Sequence, residues 1–197
     1  LVVTSSVPRE GKTTTSTNLA IALGQMEKVL LIDADMRRPT IRKNIGLDAG
    51  VKGLSDLVAG GVELKDCIYE VPGADQVHLM PSGTIPPNPL ELLSSNRFSE
   101  VLEHLEGYYD RIVIDSAPVL AVSDSKILSQ HANALIYVVK ADETQVNSVQ
   151  EGVKQLRQVS APLVGVVLNQ LAINKSGKYG YGYYGYGYNY SSEEAVS

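Results

Sequence analysis

Leu1-Val-Val-Thr-Ser-Ser-Val-Pro-Arg-Glu-Gly-Lys-Thr13 opens the chain, and the stretch from Thr14 to Gln25 continues it without a proline. Leu1–Thr4 reads as a strand, because its apolar and β-branched residues run on without alternation, as they do in parallel strands covered on both faces. Lys12–Gln25 reads as the helix that follows. Between them, Ser6 to Thr13 fits the phosphate-binding loop pattern, with Ser6 where the first glycine is usual. The backbone N–H groups of such a loop and of the helix N-terminus converge on one point and attract an anion. Pro8, Arg9, Glu10, Gly11, Lys12, Thr13 and Thr14 are therefore the expected nucleotide contacts. Lys12 is expected to bridge the outer phosphates, and the Thr13 hydroxyl to enter a Mg²⁺ shell. The alternative is a chance Gly-Lys-Thr at a helix start, and the strand before it and helix after it speak against that.

Working outward, the same alternation repeats. Val29–Ile32, Val77–Met80, Arg111–Ile114, Leu135–Val139 and Leu163–Leu168 read as strands. Leu54–Val58, Asn96–Glu106, Ser123–Ser129 and Thr144–Gln158 read as helices. Such a βαβ series predicts an α/β fold: a mostly parallel β-sheet flanked by helices on both faces, with ligands at the carboxyl ends of the strands. At 197 residues the chain is long enough for one such domain and short for two. Pro81-Ser-Gly-Thr-Ile-Pro-Pro-Asn-Pro89 is expected to be an irregular loop that ends near a helix start.

Two further strands end in carboxylates. Ile32-Asp-Ala-Asp-Met-Arg-Arg-Pro39 presents Asp33 and Asp35, two residues apart and so on one side of an extended chain. Like charges that close repel unless a cation sits beside them, and nucleotide-bound Mg²⁺ is the natural one. The plainer alternative is an aspartate that caps a turn. Arg111-Ile-Val-Ile-Asp115-Ser-Ala-Pro118 is another apolar strand ending in aspartate, placed to hold the metal directly or through water. With Thr13, these three carboxylates form the expected metal set; with Lys12, the expected catalytic set. Asn169 ends the last strand with an amide that can read an adenine edge, or simply form a turn.

Composition excludes several function classes. A net charge of −5 gives no basic face for nucleic acid. The single cysteine, Cys67, leaves no internal disulfide or multi-cysteine zinc site, and it fits a reducing compartment. His78, His104 and His131 lack ligand spacing, and no serine–histidine–aspartate arrangement is visible. No apolar run approaches the ~20 residues needed to cross a bilayer. Leu1 stands inside an apolar run, so the natural start is expected upstream. Tyrosine is unevenly spread: of eleven, seven fall in the Gly/Tyr-rich segment, at Tyr179, Tyr181, Tyr183, Tyr184, Tyr186, Tyr188 and Tyr190. That composition offers no packed face, which divides the chain into a folded domain over residues 1–174 and a disordered tail over 175–197.

The three motifs in this order resemble the catalytic domain of the bacterial tyrosine kinases of capsule and exopolysaccharide synthesis. The resemblance extends to Gly53-Leu-Ser-Asp-Leu57, to Pro81–Leu93 and to the Tyr-rich end, and so covers nearly the whole chain. It implies a P-loop NTPase fold shared with the partition and division-site ATPases, ATP/ADP and Mg²⁺ as cofactors, and autophosphorylation of the tail tyrosines between subunits. It places Asp33 and Asp35 among the carboxylates that bind metal and orient or deprotonate the incoming hydroxyl. It also implies a membrane polysaccharide co-polymerase as activator, fused upstream or separate, and attachment at the cytoplasmic side of the bacterial inner membrane. Arg9 and Ser6 depart from the family's glycines, and the helix expected to support a ring oligomer is not in this sequence. A flexible Gly-rich chain from Asn174 to Tyr190 spans about 20–24 Å root-mean-square, enough to reach a neighbouring subunit. Two rival classes are a switch ATPase that transfers phosphate only to water and a nucleotide-binding scaffold without turnover. The absence of a lysine early in the loop, at Ser6 to Glu10, and the tyrosine cluster both favour the kinase.

Overall fold

A computed structural model of the chain describes residues 1–172. The boundary expected at 174, the disorder expected beyond it and the seven tail tyrosines lie outside the described residues. Seven strands form one sheet: β1 (Val2–Ser5), β2 (Val29–Asp33), β3 (Tyr69–Glu70), β4 (Val77–Met80), β5 (Arg111–Asp115), β6 (Leu135–Lys140) and β7 (Leu163–Asn169). Their order across the sheet is β3-β4-β2-β5-β1-β6-β7. All neighbours are parallel except β3, which runs antiparallel to β4 at the edge. The six strands expected from apolar runs are present, and β3 is additional. The chain leaves β1 towards β2 on one side, and β6 fills the other. The crevice beyond the β1 carboxyl end is therefore the switch point where such sheets bind ligands.

Alternate residues of the central strands feed two cores. Val2, Leu30, Ile32, Ile114, Tyr137 and Val139 point to one face. There they pack under α3 (Leu54–Ala59), α5 (Asn96–Glu106), α6 (Asp124–Gln130) and α7 (Val146–Gln158). Val3, Val29, Leu31, Val113 and Val138 point to the other, covered by α1 (Lys12–Leu23) and the short α2 (Ile41–Asn44) through Ala20 and Ile41. In α5 the buried residues Phe98, Leu102 and Leu105 recur at helical spacing, and the Ser95 hydroxyl accepts the Phe98 N–H at 3.2 Å to cap the first turn. Strand β7 departs from the expectation of a strand covered on both faces. Its Val164, Val166 and Leu168 are 64%, 57% and 53% exposed, because β7 is the edge strand and α7 lies over its inner neighbour.

The proline-rich loop ends at α4 (Pro89–Leu93), with Asn88 as its cap and Pro89 in the first turn, where a missing N–H costs nothing. Asp56 pins the other end of the loop by accepting from the Thr84 N–H at 3.0 Å, the Thr84 hydroxyl at 2.7 Å and the Gly53 N–H at 3.1 Å. Gly83 sits there at φ 78°, and a Cβ would collide with the Asp56 carboxylate. Among the described residues, no helix is long and apolar enough to cross a membrane.

Candidate active site: a phosphate loop facing three carboxylates

Register brings the acidic residues to the loop. Strand β5 lies between β1 and β2, with Asp115 opposite both Val3 and Asp33, so the end of β5 meets the loop that leaves β1. That loop turns into α1 at Gly11, whose φ of 90° is open to glycine. A side chain at Gly11 would also collide with the Asn169 amide, which lies across the loop and donates to the Glu10 carbonyl at 3.0 Å.

The first residues of α1 face the carboxylates. The Lys12 ammonium lies 2.9 Å from Asp35 Oδ2 and 3.9 Å from Asp115 Oδ2. The Thr13 hydroxyl donates to Asp115 Oδ2 at 2.7 Å. Lys12, Thr13, Thr14, Pro8, Arg9, Gly11 and Asp35 line a cleft of about 690 Å³, closed on its other sides by Arg37, Arg38, Thr40, Asn44, Ala117, Pro118, Ala121, Val122 and Gln170.

Asp33 takes a different position from the one expected. The strand stops at Asp33, so the rule that puts alternate residues on one side ends there. The Asp33 Oδ2 accepts from Thr40 N–H at 3.2 Å and Ile41 N–H at 3.1 Å at the start of α2, behind the cleft wall. Asp35, past the strand, turns to Lys12 and also accepts the Arg38 N–H at 3.1 Å.

The electrostatics follow from burial. Burial, reinforced by the neighbouring Asp115, pushes the Asp33 carboxyl up to about 7. Burial pushes Asp115 up to about 6, while Lys12 and the Thr13 hydroxyl act in the opposite direction. Burial works against the Lys12 ammonium, but Asp115 and Asp35 more than offset it and hold its pKa above the usual value. Two buried carboxylate oxygens, Asp33 Oδ1 and Asp115 Oδ1, have no hydrogen-bond partner. Unpartnered acceptors of that kind, beside a hydroxyl already turned to Asp115, suit a hard divalent cation.

Known proteins share this arrangement. A family described as an AAA domain matches residues 10–169. The tyrosine-protein kinase CpsD of Streptococcus pneumoniae is 37% identical over 182 residues, spanning 91% of this chain and 80% of that protein. The tyrosine-protein kinase YwqD of Bacillus subtilis is 34% identical over 184 residues, with 92% and 76% covered. The chain belongs to the bacterial tyrosine kinases of this AAA-domain family. The kinase domain of VpsO superposes on this kinase with a TM-score of 0.83 at 44% identity, over 87% of this chain and 84% of that one. The septum site-determining protein MinD of Pyrococcus horikoshii, complexed with Mg-ADP, reaches 0.70 at 26% identity, over 85% of this chain and 68% of that one. This kinase spans only 25% of the tyrosine-protein kinase Wzc of Salmonella typhimurium, at 37% identity. The fold is thus that of the P-loop NTPases.

Three features of the kinase site were not visible in the sequence. Arg37 binds Asp124 through two bonds, Nε to Oδ2 at 2.9 Å and Nη2 to Oδ1 at 3.1 Å, and so stands fixed on the cleft wall. The 87-residue separation of that pair leaves no local signal. Gln170, with φ 58°, closes the cleft just past β7. Glu10 was expected at the nucleotide, but its side chain is directed into the protein, away from the cleft.

Arg9 occupies the left-handed region at φ 71°. A non-glycine residue there costs about 1–2 kcal/mol, of which glycine's extra freedom in the unfolded chain returns part. Arg9→Gly is therefore expected to stabilise the kinase by about 1 kcal/mol, raising Tm by about 2–4 °C. Thermal unfolding of the two proteins checks this, and an unchanged or lower Tm contradicts it.

Proposed function

We propose that the kinase transfers the γ-phosphoryl group of ATP to tyrosines of its own C-terminal segment, Tyr179 to Tyr190, between copies of the chain. The observation that carries this reading is the meeting of Lys12, Thr13 and Asp35 on one cleft, with Asp115 buried against the first two, in a tyrosine-kinase relative that itself carries seven clustered tyrosines. In the reaction a tyrosine oxygen forms the new P–O bond and loses its proton, the bond from the γ-phosphorus to the β–γ bridging oxygen breaks, and ADP leaves. Asp35 is the carboxylate that faces the cleft and is placed to accept the proton. Lys12 holds Asp35 in the free protein, and drawing its ammonium towards phosphate leaves Asp35 open to the hydroxyl.

Thr13 and Asp115 would hold Mg²⁺, with Asp33 and its unpartnered oxygen behind them. Bound there, Mg²⁺ supplies neutralisation of the phosphate charge. Asn169 commits one of its two amide N–H groups to the Glu10 carbonyl, so the second N–H and Oδ1 are what it would offer to an adenine edge. The 1–174 domain acts as the catalytic unit and the 175–197 segment as its substrate. The same unit matches most of CpsD and a quarter of Wzc. That supports a role in capsule or exopolysaccharide synthesis, with a membrane polysaccharide co-polymerase as activator, fused or separate, at the cytoplasmic face of the inner membrane.

Intact-mass measurement and peptide mapping after incubation with ATP and Mg²⁺ test this reading. Phosphate is expected on Tyr179–Tyr190 of the wild type and on none of them in Lys12→Met. ATP hydrolysis with no phosphotyrosine, even with the cytoplasmic segment of an activator present, would overturn it in favour of a switch ATPase.

A further inference from the structure

Glu10 lies in the middle of the phosphate loop, yet it is 1% exposed and takes no part in the cleft lining. Its Oε2 accepts the Val7 N–H at 2.7 Å, which closes the loop on its own start. Its Oε1 accepts the Lys140 N–H at 3.4 Å, at the end of β6, and the Thr144 hydroxyl at 2.5 Å, in the connection from β6 to α7. Thr144 Oγ1 in turn accepts the same Lys140 N–H at 3.2 Å. The Glu10 carbonyl receives the Asn169 amide from the end of β7. One residue thus ties the loop to the ends of β6 and β7.

A buried carboxylate with no cation beside it is costly, and under a loop that binds phosphate its charge also opposes the ligand. No lysine, arginine or histidine among the described residues pairs with it. The donor pattern accounts for a carboxylate at this position. The Val7 and Lys140 N–H groups only donate, and they approach different oxygens of the side chain. A carboxylate offers two acceptor oxygens and an amide only one, so glutamine satisfies one side and presents its own N–H groups to the other.

We propose that Glu10 is a positioning residue for nucleotide binding. It braces the start of the phosphate loop against the β6–α7 connection, so that the loop N–H groups converge on phosphate before the ligand arrives. The charge it brings weakens attraction for the anion, and the fixed loop geometry more than compensates. This inference rests on the nucleotide reading of the cleft.

The test compares wild type, Glu10→Gln, Thr144→Val, the double variant and Lys12→Met. The measurements are ADP binding by calorimetry with Mg²⁺, KM and kcat for ATP in tyrosine phosphorylation, and Tm. Glu10→Gln is expected to weaken ADP binding and raise KM about tenfold, near 1.4 kcal/mol, with kcat changed by less than about threefold. Thr144→Val is expected to act in the same direction, about threefold, and the double variant to be no worse than Glu10→Gln, since both remove one linkage. A lower Tm with ADP affinity unchanged would overturn the proposal, because Glu10 would then only support the fold. In that case a wild type that binds ADP and a Lys12→Met variant that does not would leave the nucleotide reading standing. A wild type that binds no ADP would overturn both. If Glu10→Gln does not fold, Thr144→Val decides alone, and unchanged ADP affinity in it overturns the proposal.

Discussion

Lys12→Met is expected to reduce the rate of tyrosine phosphorylation by at least 10²–10³-fold, roughly the cost of removing one preorganised donor from a site where transition-state charge develops. The loss should exceed that of a surface phosphate contact for two reasons. Among the described residues Lys12 is the only lysine lining the cleft, and its ammonium also faces Asp35 and Asp115. Removing it leaves two buried carboxylates without their cation, which disfavours their charged forms and the cation-binding state together. Lys12→Arg should restore little, because a planar guanidinium on a different stem cannot place one compact charge between Asp35, Asp115 and a phosphate. Initial rates of phosphotyrosine formation at saturating ATP decide the matter. A loss below tenfold in Lys12→Met would show that the cleft is not where phosphate is transferred.

How far the sequence disclosed this site depends on how local each signal is. Strands β1, β2, β5 and β6 are buried on both faces, so each appears as an unbroken apolar run with a polar residue where it ends. Lys12, Thr13 and Asp115 follow from that pattern, since a parallel sheet aligns its strand ends. Strand β3 is two residues long and partly exposed, which leaves no periodicity to detect. Helix α2 has four residues and is fixed by Asp33 rather than by any pattern of its own. The Asp33–Asp35 pair shows where the rule stops. Alternation holds inside the strand, and the turn after Asp33 sends the two side chains to different partners. Arg37–Asp124 and Glu10–Thr144 join segments 87 and 134 residues apart, and no local physical signal forecasts such pairings.

The stability of the nucleotide-free, Mg²⁺-free kinase is expected to fall as pH rises from about 5 to 8. Asp33 has its folded pKa raised from 3.8 to about 7, and Asp115 from 3.8 to about 6. Between the unfolded and folded values the native state holds protons that the unfolded chain has released, so stability decreases with pH across that window. The stabilising contribution is full below about pH 4 and gone above about pH 7, the reverse of the usual aspartate in a salt bridge. Lys12, whose folded pKa is raised above 10.5, keeps its contribution throughout this range and does not mask the effect. Asp33 supplies the larger part of the fall, up to about pH 7, and Asp115 adds to it up to about pH 6. Asp33→Asn is the informative variant. Its Oδ1 still accepts the Thr40 and Ile41 N–H groups, while the titrating proton is removed. Melting curves in a chelator at pH 5 and pH 8 should show a steep fall for the wild type and a much shallower one for Asp33→Asn. Adding Mg²⁺ and ADP at pH 8 should recover most of the wild-type loss, because a cation beside Asp115 replaces the proton the buried carboxylates lack. A wild-type Tm that rises over this pH range would show that these carboxylates are not kept protonated by burial.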